Sequence, residues 1–196
     1  MFVIFADINA MDAPRLYIIS GCNGAGKTTA SFTILPEIFG CRQFVNADEI
    51  AQGLSPLRPA GVAIDAGRIM LARIEKLIRS RQSFAIETTL ATRSYRKLID
   101  RAHAAGYVVE LLYVWLCSVA LACERVARRV AEGGHDIPVD VIARRYHQGI
   151  KNLFEIFIPA VDVWTIVDNS EGMLQFVAAS EGIIDQSTYD KISEQQ

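Results

Sequence analysis

Residues 18–31 read IISGCNGAGKTTAS, an apolar run that breaks into spaced glycines and then into Lys27, Thr28 and Thr29. The spacing Gly-x-x-x-x-Gly-Lys-Thr, filled by Gly21, Gly26, Lys27 and Thr28, constrains the fold more than any other stretch. It calls for a strand before it and a helix after it, joined by a turn whose backbone N–H groups cradle phosphate oxygens. Gly21, Cys22, Asn23, Gly24, Ala25, Gly26, Lys27, Thr28 and Thr29 are therefore the candidates for holding a nucleoside triphosphate: ATP first, with GTP as the alternative. Lys27 has the reach for the β- and γ-phosphates, and the Thr28 hydroxyl suits magnesium. What receives the terminal phosphate, water or the hydroxyl of a second substrate, has to be read elsewhere in the chain.

Beyond the loop, strand-like and helix-like segments alternate. Residues 16–20 read as a buried strand, 42–47 as a second, 83–87 as a third, 107–116 as the longest and 163–169 as a fifth. Helical spacing of apolar residues runs through 60–82, 94–106, 118–132 and 139–154. Residues 171–180 add an edge hairpin, and 183–196 read as a loose C-terminal tail. This alternation predicts an α/β fold of the P-loop NTPase type, with a mostly parallel sheet of five to six strands flanked by helices. The expected organisation is one domain over 1–196 with its core at about 15–170. In such sheets ligands sit beyond the carboxyl ends of the strands, which picks out 21–28, 46–49, 87–93, 117–118 and 168–170.

Charge and cysteine content narrow the partners. Twenty basic against twenty-two acidic residues give no global field to recruit nucleic acid or anionic membrane. No apolar run reaches bilayer length, so no membrane partner is expected and the location read from the chain is cytoplasmic. Cys22, Cys41, Cys117 and Cys123 lack metal-ligand spacing and read as reduced thiols. Met11 is an alternative natural start, with residues 1–10 then non-native, because MDAPRLYII leads straight into the first strand.

Three further stretches carry chemistry. In FVNADEI, Asn46 and Glu49 have the spacing that closes a helix N-terminus, which places Asp48 in the first turn. There it either takes a proton from an attacking hydroxyl or only complements the helix dipole. In FAIETTLATR, Glu87 ends an apolar strand and is followed by Thr88, Thr89, Thr92 and Arg93. Glu87 reads as a Walker B-like carboxylate managing magnesium or water, or as one that binds a polyol, and Thr89 or Thr92 as a cap for the next helix. In CERVARRVAEGGHDIPVDVIARRY, Arg125, Arg128 and Arg129 share one helix face; Arg144 and Arg145 follow a Gly133-Gly134 turn containing His135. Arginines on both arms of a hinged helical hairpin read as a closing lid over transferring phosphate, or as a solvated charged face. His135 fits a donor at the lid tip.

GCNGAGKTT, NADEI, ETTLATR and RVARRVAEGGHDIP…RRY, in this order across about residues 15–168, resemble the zeta-toxin family of P-loop small-molecule kinases. The resemblance implies phosphorylation of the 3′-hydroxyl of UDP-N-acetylglucosamine with ATP and magnesium, and a small antitoxin protein as partner. It implies Asp48 as base, with Lys27 and Arg125 as catalytic phosphate ligands and Thr28 as the magnesium ligand. Glu87 and Thr89 would hold the sugar nucleotide, aided by Arg93 and His135. For the second lid arginine it leaves Arg128, Arg129 and Arg144, in that order, with the latter two on the triphosphate side. The rivals are a kinase for another small acceptor (nucleotide, antibiotic or sugar) and a nucleotide-gated regulatory module without phosphotransfer. An ABC-type motor is excluded, because the chain has no Leu-Ser-Gly-Gly-Gln signature and no paired acids after Phe84-Ala85-Ile86.

Overall fold

A computed structural model describes residues 13–134 and 136–196. The reading of residues 1–10 as a non-native start, and the role given to His135, lie outside the described residues. Strand β1 (Arg15–Ser20) is buried along nearly its whole length and pairs in parallel with β3 (Phe84–Thr88) on one side and β4 (Val108–Trp115) on the other. Strand β2 (Phe44–Val45) flanks β3, and β5 (Val163–Asp168) flanks β4, both parallel. Strands β6 (Gln175–Ala179) and β7 (Gly182–Ile183) then extend the sheet antiparallel. The order is β2-β3-β1-β4-β5-β6-β7, so the expected mostly parallel α/β sheet is present with seven strands rather than five or six. The edge hairpin at 171–180 runs further, because Gly182 and Ile183 pair back onto Ala179 and Ala178.

The helices are α1 (Lys27–Glu37), α2 (Ala47–Leu54), α3 (Ala63–Arg79), α4 (Tyr95–Ala104), α5 (Val119–Ala131), α6 (Val139–Asn152) and α7 (Gln186–Ser193). Helix α3 turns Ala66, Met70, Ile74 and Leu77 inward, spaced as a 3.6-residue period requires. The core joins Met70, Ile74 and Leu77 to Leu16, Ile18, Phe84, Ile86, Val109, Tyr113 and Phe157. No helix among the described residues is long and apolar enough to cross a membrane.

Two sequence expectations change. The second strand, expected over 42–47, shrinks to two residues because Asn46 leaves the strand to cap α2, its side chain accepting from Asp48 N. The tail expected over 183–196 instead holds helix α7, capped by Asp185 and anchored by a fully buried Ile192. Gln195 beyond it accepts from Trp115 Nε1 at 3.3 Å and from the Tyr146 hydroxyl at 3.0 Å. One aliphatic anchor in a polar octet gives little periodic signal, so only packing against the sheet decides this helix.

The thiols are free, with Cys22 and Cys41 buried and Cys117 exposed. Burial pushes the Cys22 thiol up to about 11, although Lys27 beside it pulls the other way. Since the thiolate is the reactive form, a raised value means protection at neutral pH that fades only as pH approaches 11. Peptide mapping after iodoacetamide at pH 8 is expected to find Cys117 labelled well before Cys22; equal labelling would contradict this packing. Ile192→Ala is expected to cost about 2–4 kcal/mol, read as a lowered urea midpoint, because it opens a cavity under α7. A loss within error would mean that α7 does not pack as described.

Candidate active site

The parallel register brings the ends of β1, β2, β3, β4 and β5 to one edge of the sheet: Ser20 faces Thr88 and Tyr113, and Trp115 faces Asp168. Between β1 and α1 the loop 21–26 folds back on itself. Gly21 has φ +142°, and a Cβ there would stand 2.2 Å from the Val114 carbonyl oxygen, so the backbone approach itself requires glycine. Gly26 caps α1 in the left-handed region at φ +87°. The consequence is a helix N-terminus whose first N–H groups face the loop.

Lys27 is almost wholly buried. Its Nζ donates to the Cys22 carbonyl at 2.9 Å and lies 3.7 Å from Glu87 Oε1. Glu87 Oε2 accepts from the Thr28 hydroxyl at 2.8 Å and from Asn46 Nδ2 at 3.1 Å. One carboxylate at the end of β3 thus joins the loop, the start of α1 and the cap of α2. Magnesium takes few protein ligands and completes its shell with phosphate oxygens and water. A hydroxyl beside one shielded carboxylate fits that habit, and no larger cluster of metal-binding side chains occurs among the described residues.

Asp48 sits exposed in the first turn of α2, its amide held by Asn46 Oδ1 at 2.9 Å. Its charge is felt at Tyr95, the first residue of α4. Burial pushes the Tyr95 hydroxyl up, a hydrogen bond with Thr88 opposes the rise and the Asp48 charge adds to it. Sequence reasoning did not single out Tyr95; its one signal was an aromatic residue just after ETTLATRS. The 88–93 stretch is stiff. Leu90 has φ +56°, a conformation uncommon for a bulky residue, with its amide on Thr88 Oγ1 at 3.1 Å. Helix α6 holds it from the other side, with Asn152 Nδ2 donating to the Leu90 carbonyl at 2.7 Å. Gly149 lies so close that an added Cβ would be 2.6 Å from the Thr89 carbonyl oxygen. Neither Thr89 nor Thr92 caps α4: Thr89 Oγ1 accepts from Ala91 N at 3.5 Å, and Thr92 bonds to Ser94.

The arginines separate. Arg125 Nη2 donates to the carbonyls of Asn169 and Ser170 at 2.7 and 2.9 Å, and Asn169 Nδ2 donates to the Ala25 carbonyl at 2.8 Å. Arg125 therefore braces the loop together with the segment after β5. Arg128 is exposed and paired with Glu124 one turn away. Arg129 is also exposed, with its carbonyl accepting from Gly134 N at 2.8 Å. Arg144 and Arg93 face a shared cleft with Ala91, Gln148 and Asn152. The lid residue that reaches the loop is Arg145, whose Nη1 donates to Asn23 Oδ1 at 3.2 Å. The sequence showed Arg145 beside Arg144 but could not say which of two adjacent helical residues faces the loop; they differ by about 100° around the axis.

Comparison with known proteins bears on the fold and the family. The Zeta toxin family model matches residues 4–176. A Haemophilus influenzae protein is 30% identical over 126 residues, 64% of this chain and 88% of that one. The crystal structure of AvrRxo1-ORF1:-ORF2 with ATP superposes with a TM-score of 0.76 at 20% identity, covering 94% of this chain and 64% of that one. A structure from the PezAT chromosomal toxin–antitoxin system of Streptococcus pneumoniae gives 0.73 at 19% identity, over 94% of this chain and 79% of that one. The chain thus spans just under two thirds of the length of its AvrRxo1 neighbour, and these likenesses speak to the fold. With the family model matching most of its length, the chain belongs to the Zeta toxin family.

Proposed function

We propose that this protein is an ATP-dependent phosphotransferase acting on a hydroxyl of UDP-N-acetylglucosamine, in the cytoplasm, with a small antitoxin protein as its partner. The observation that carries the reading is Asp48: an exposed carboxylate beside a phosphate-type loop, on a helix locked to that loop through Asn46 and Glu87. Read as a base, that carboxylate favours transfer to a hydroxyl over nucleotide binding alone. Family membership supports the acceptor and the partner.

In this mechanism the loop amides and Lys27 hold the triphosphate, and the guanidinium groups of Arg145 and Arg125 stand at its margin. Thr28, with Glu87 behind it, would hold magnesium, which neutralises charge on the β- and γ-phosphates when bound. The acceptor hydroxyl gives its proton to the Asp48 carboxylate as its oxygen attacks the γ-phosphorus. The bond from that phosphorus to the β,γ-bridging oxygen breaks, and ADP leaves. Most of the acceleration comes from positioning and charge stabilisation, so the braced 88–93 loop and the placement of Asp48 in the first turn of α2 are the parts that matter.

Incubation with ATP, magnesium and UDP-N-acetylglucosamine is expected to add one phosphate to the sugar nucleotide by mass spectrometry. Asp48→Asn is expected to slow this about 100- to 10,000-fold while leaving ATP affinity nearly unchanged. ATP consumption without a modified sugar nucleotide would reject this acceptor in favour of another small molecule. ATP binding without turnover under any acceptor would favour the regulatory-module reading. For the lid, Arg145→Ala is expected to lower kcat about 100-fold or more. A larger loss at Arg128→Ala than at Arg145→Ala would show that the closing lid arginine is on α5 after all.

A further inference from the structure

We propose that Tyr146 is a positioning residue for Arg145, and that the C-terminal helix α7 takes part in the positioning through Gln195. The role rests on the phosphotransferase reading above, in which Arg145 stands at the margin of the triphosphate.

Tyr146 and Arg145 are neighbours on α6 that face different ways. The Tyr146 side chain is buried in the core, whereas Arg145 is half-buried and its Nη1 donates to Asn23 Oδ1. Adjacent helical residues stand about 100° apart around the axis, so the rotation of α6 decides whether Arg145 or the exposed Arg144 meets the loop. Burial of Ile142 and Ile150 chooses the inward face of the helix. Apolar burial is non-directional, however, and sets a rotation less sharply than a hydrogen bond to a fixed acceptor does.

Tyr146 supplies that bond. Its hydroxyl lies 2.7 Å from the Leu116 carbonyl oxygen and 3.0 Å from Gln195 Oε1, with one proton shared between the two acceptors. Leu116 directly follows β4, and Gln195 Oε1 also accepts from Nε1 of Trp115, the last residue of that strand. Both anchors of Tyr146 are therefore tied to one buried central strand. Burial pushes the Tyr146 hydroxyl above the ordinary phenol range, which keeps it a donor at neutral pH.

Gln195 is itself held in place. Its N–H donates to the Ile192 carbonyl at 3.2 Å, and Ile192 is fully buried. Earlier on α7, Tyr189 meets Phe154 edge-on with ring centroids 5.9 Å apart, and Phe154 lies in the turn that continues α6. Helix α7 thus grips the α6 segment at two levels, Phe154 and Tyr146, about two turns apart. The resulting chain of contacts runs from β4 through Gln195 and Tyr146 to Arg145 and Asn23. Its anchor on α7 lies outside residues 4–176, over which the family model matches.

Two readouts on the full chain test this. The first is steady-state kinetics with ATP, magnesium and UDP-N-acetylglucosamine, on single variants and in the Arg145→Ala background. Tyr146→Phe is expected to lower kcat about tenfold with KM for ATP within about twofold, because misplacing a charge-stabilising group costs rate more than binding. Gln195→Met keeps the length but loses the strong acceptor, and about a threefold loss is expected. Gln195→Glu keeps an acceptor oxygen and is expected to act as wild type, as is Lys191→Ala on the exposed face of α7. With Arg145 already removed, neither Tyr146→Phe nor Gln195→Met is expected to add more than about a twofold loss. A full tenfold loss from Tyr146→Phe in that background overturns the proposal, as does an unchanged kcat in the single variant. Should Tyr146→Phe not fold, Gln195→Met against Gln195→Glu decides: equal losses mean that Gln195 only fills space.

The second readout needs no acceptor. The Arg145 Nε–H and Asn23 side-chain amide signals of ¹⁵N-labelled protein are expected to shift or broaden in Tyr146→Phe and Gln195→Met and to stay in place in Gln195→Glu and Lys191→Ala. Signals unmoved in both Tyr146→Phe and Gln195→Met overturn the positioning role. Signals that move as expected in a protein that transfers phosphate to no acceptor uphold the positioning and reject the phosphotransferase reading alone.

Discussion

Glu87 is the point on which the site depends. Its side chain is about 10% exposed, faces a Lys27 side chain that is about 7% exposed, and accepts from Thr28 and Asn46. A shielded charge is tolerated only when paired and hydrogen-bonded, and here each oxygen has a partner of the right sign. Because the partners belong to different elements, one carboxylate sets the distance between the phosphate loop and the helix carrying Asp48. Loss of Glu87 would leave the Lys27 ammonium without its counter-charge and α2 without its link to the loop.

The second constraint is the backbone of the 88–93 stretch. A non-glycine residue at φ +56° is costly unless its surroundings over-determine it, and Leu90 is held by its own buried side chain, by Thr88 and by Asn152. That rigidity aims Arg93 at the α6 cleft. Helix α6 touches two loops: Arg145 reaches Asn23 of the glycine-rich loop, while Gly149 and Asn152 hold the 88–93 loop. In the proposed phosphoryl transfer two reactants must be held at one geometry, and one helix contacting both loops would serve that.

The bracing of the loop by Arg125 and Asn169 adds a further tie, from the segment after β5 back to Ala25. An arginine placed on two carbonyls acts as architecture as much as charge. Its guanidinium stabilises the wall beside the phosphate loop even where its Nη2 is not directed at phosphate.

The sequence by itself determined the fold class, the phosphate loop, the order of strands and helices through β5, and the Asn46 cap that places Asp48 in the first turn of α2. These follow from local signals: glycine spacing, apolar period and a capping side chain. Only the tertiary structure decided which oxygens Glu87 shares, which lid arginine meets the loop, and that residues 186–193 form a helix. Those choices turn on the rotation of a helix about its axis and on one buried isoleucine, and neither leaves a periodic trace in the chain. The departure of Arg144, which lines a cleft with Arg93, from Arg145, which bonds to Asn23, is the plainest instance: side chains one residue apart on a helix serve different neighbours.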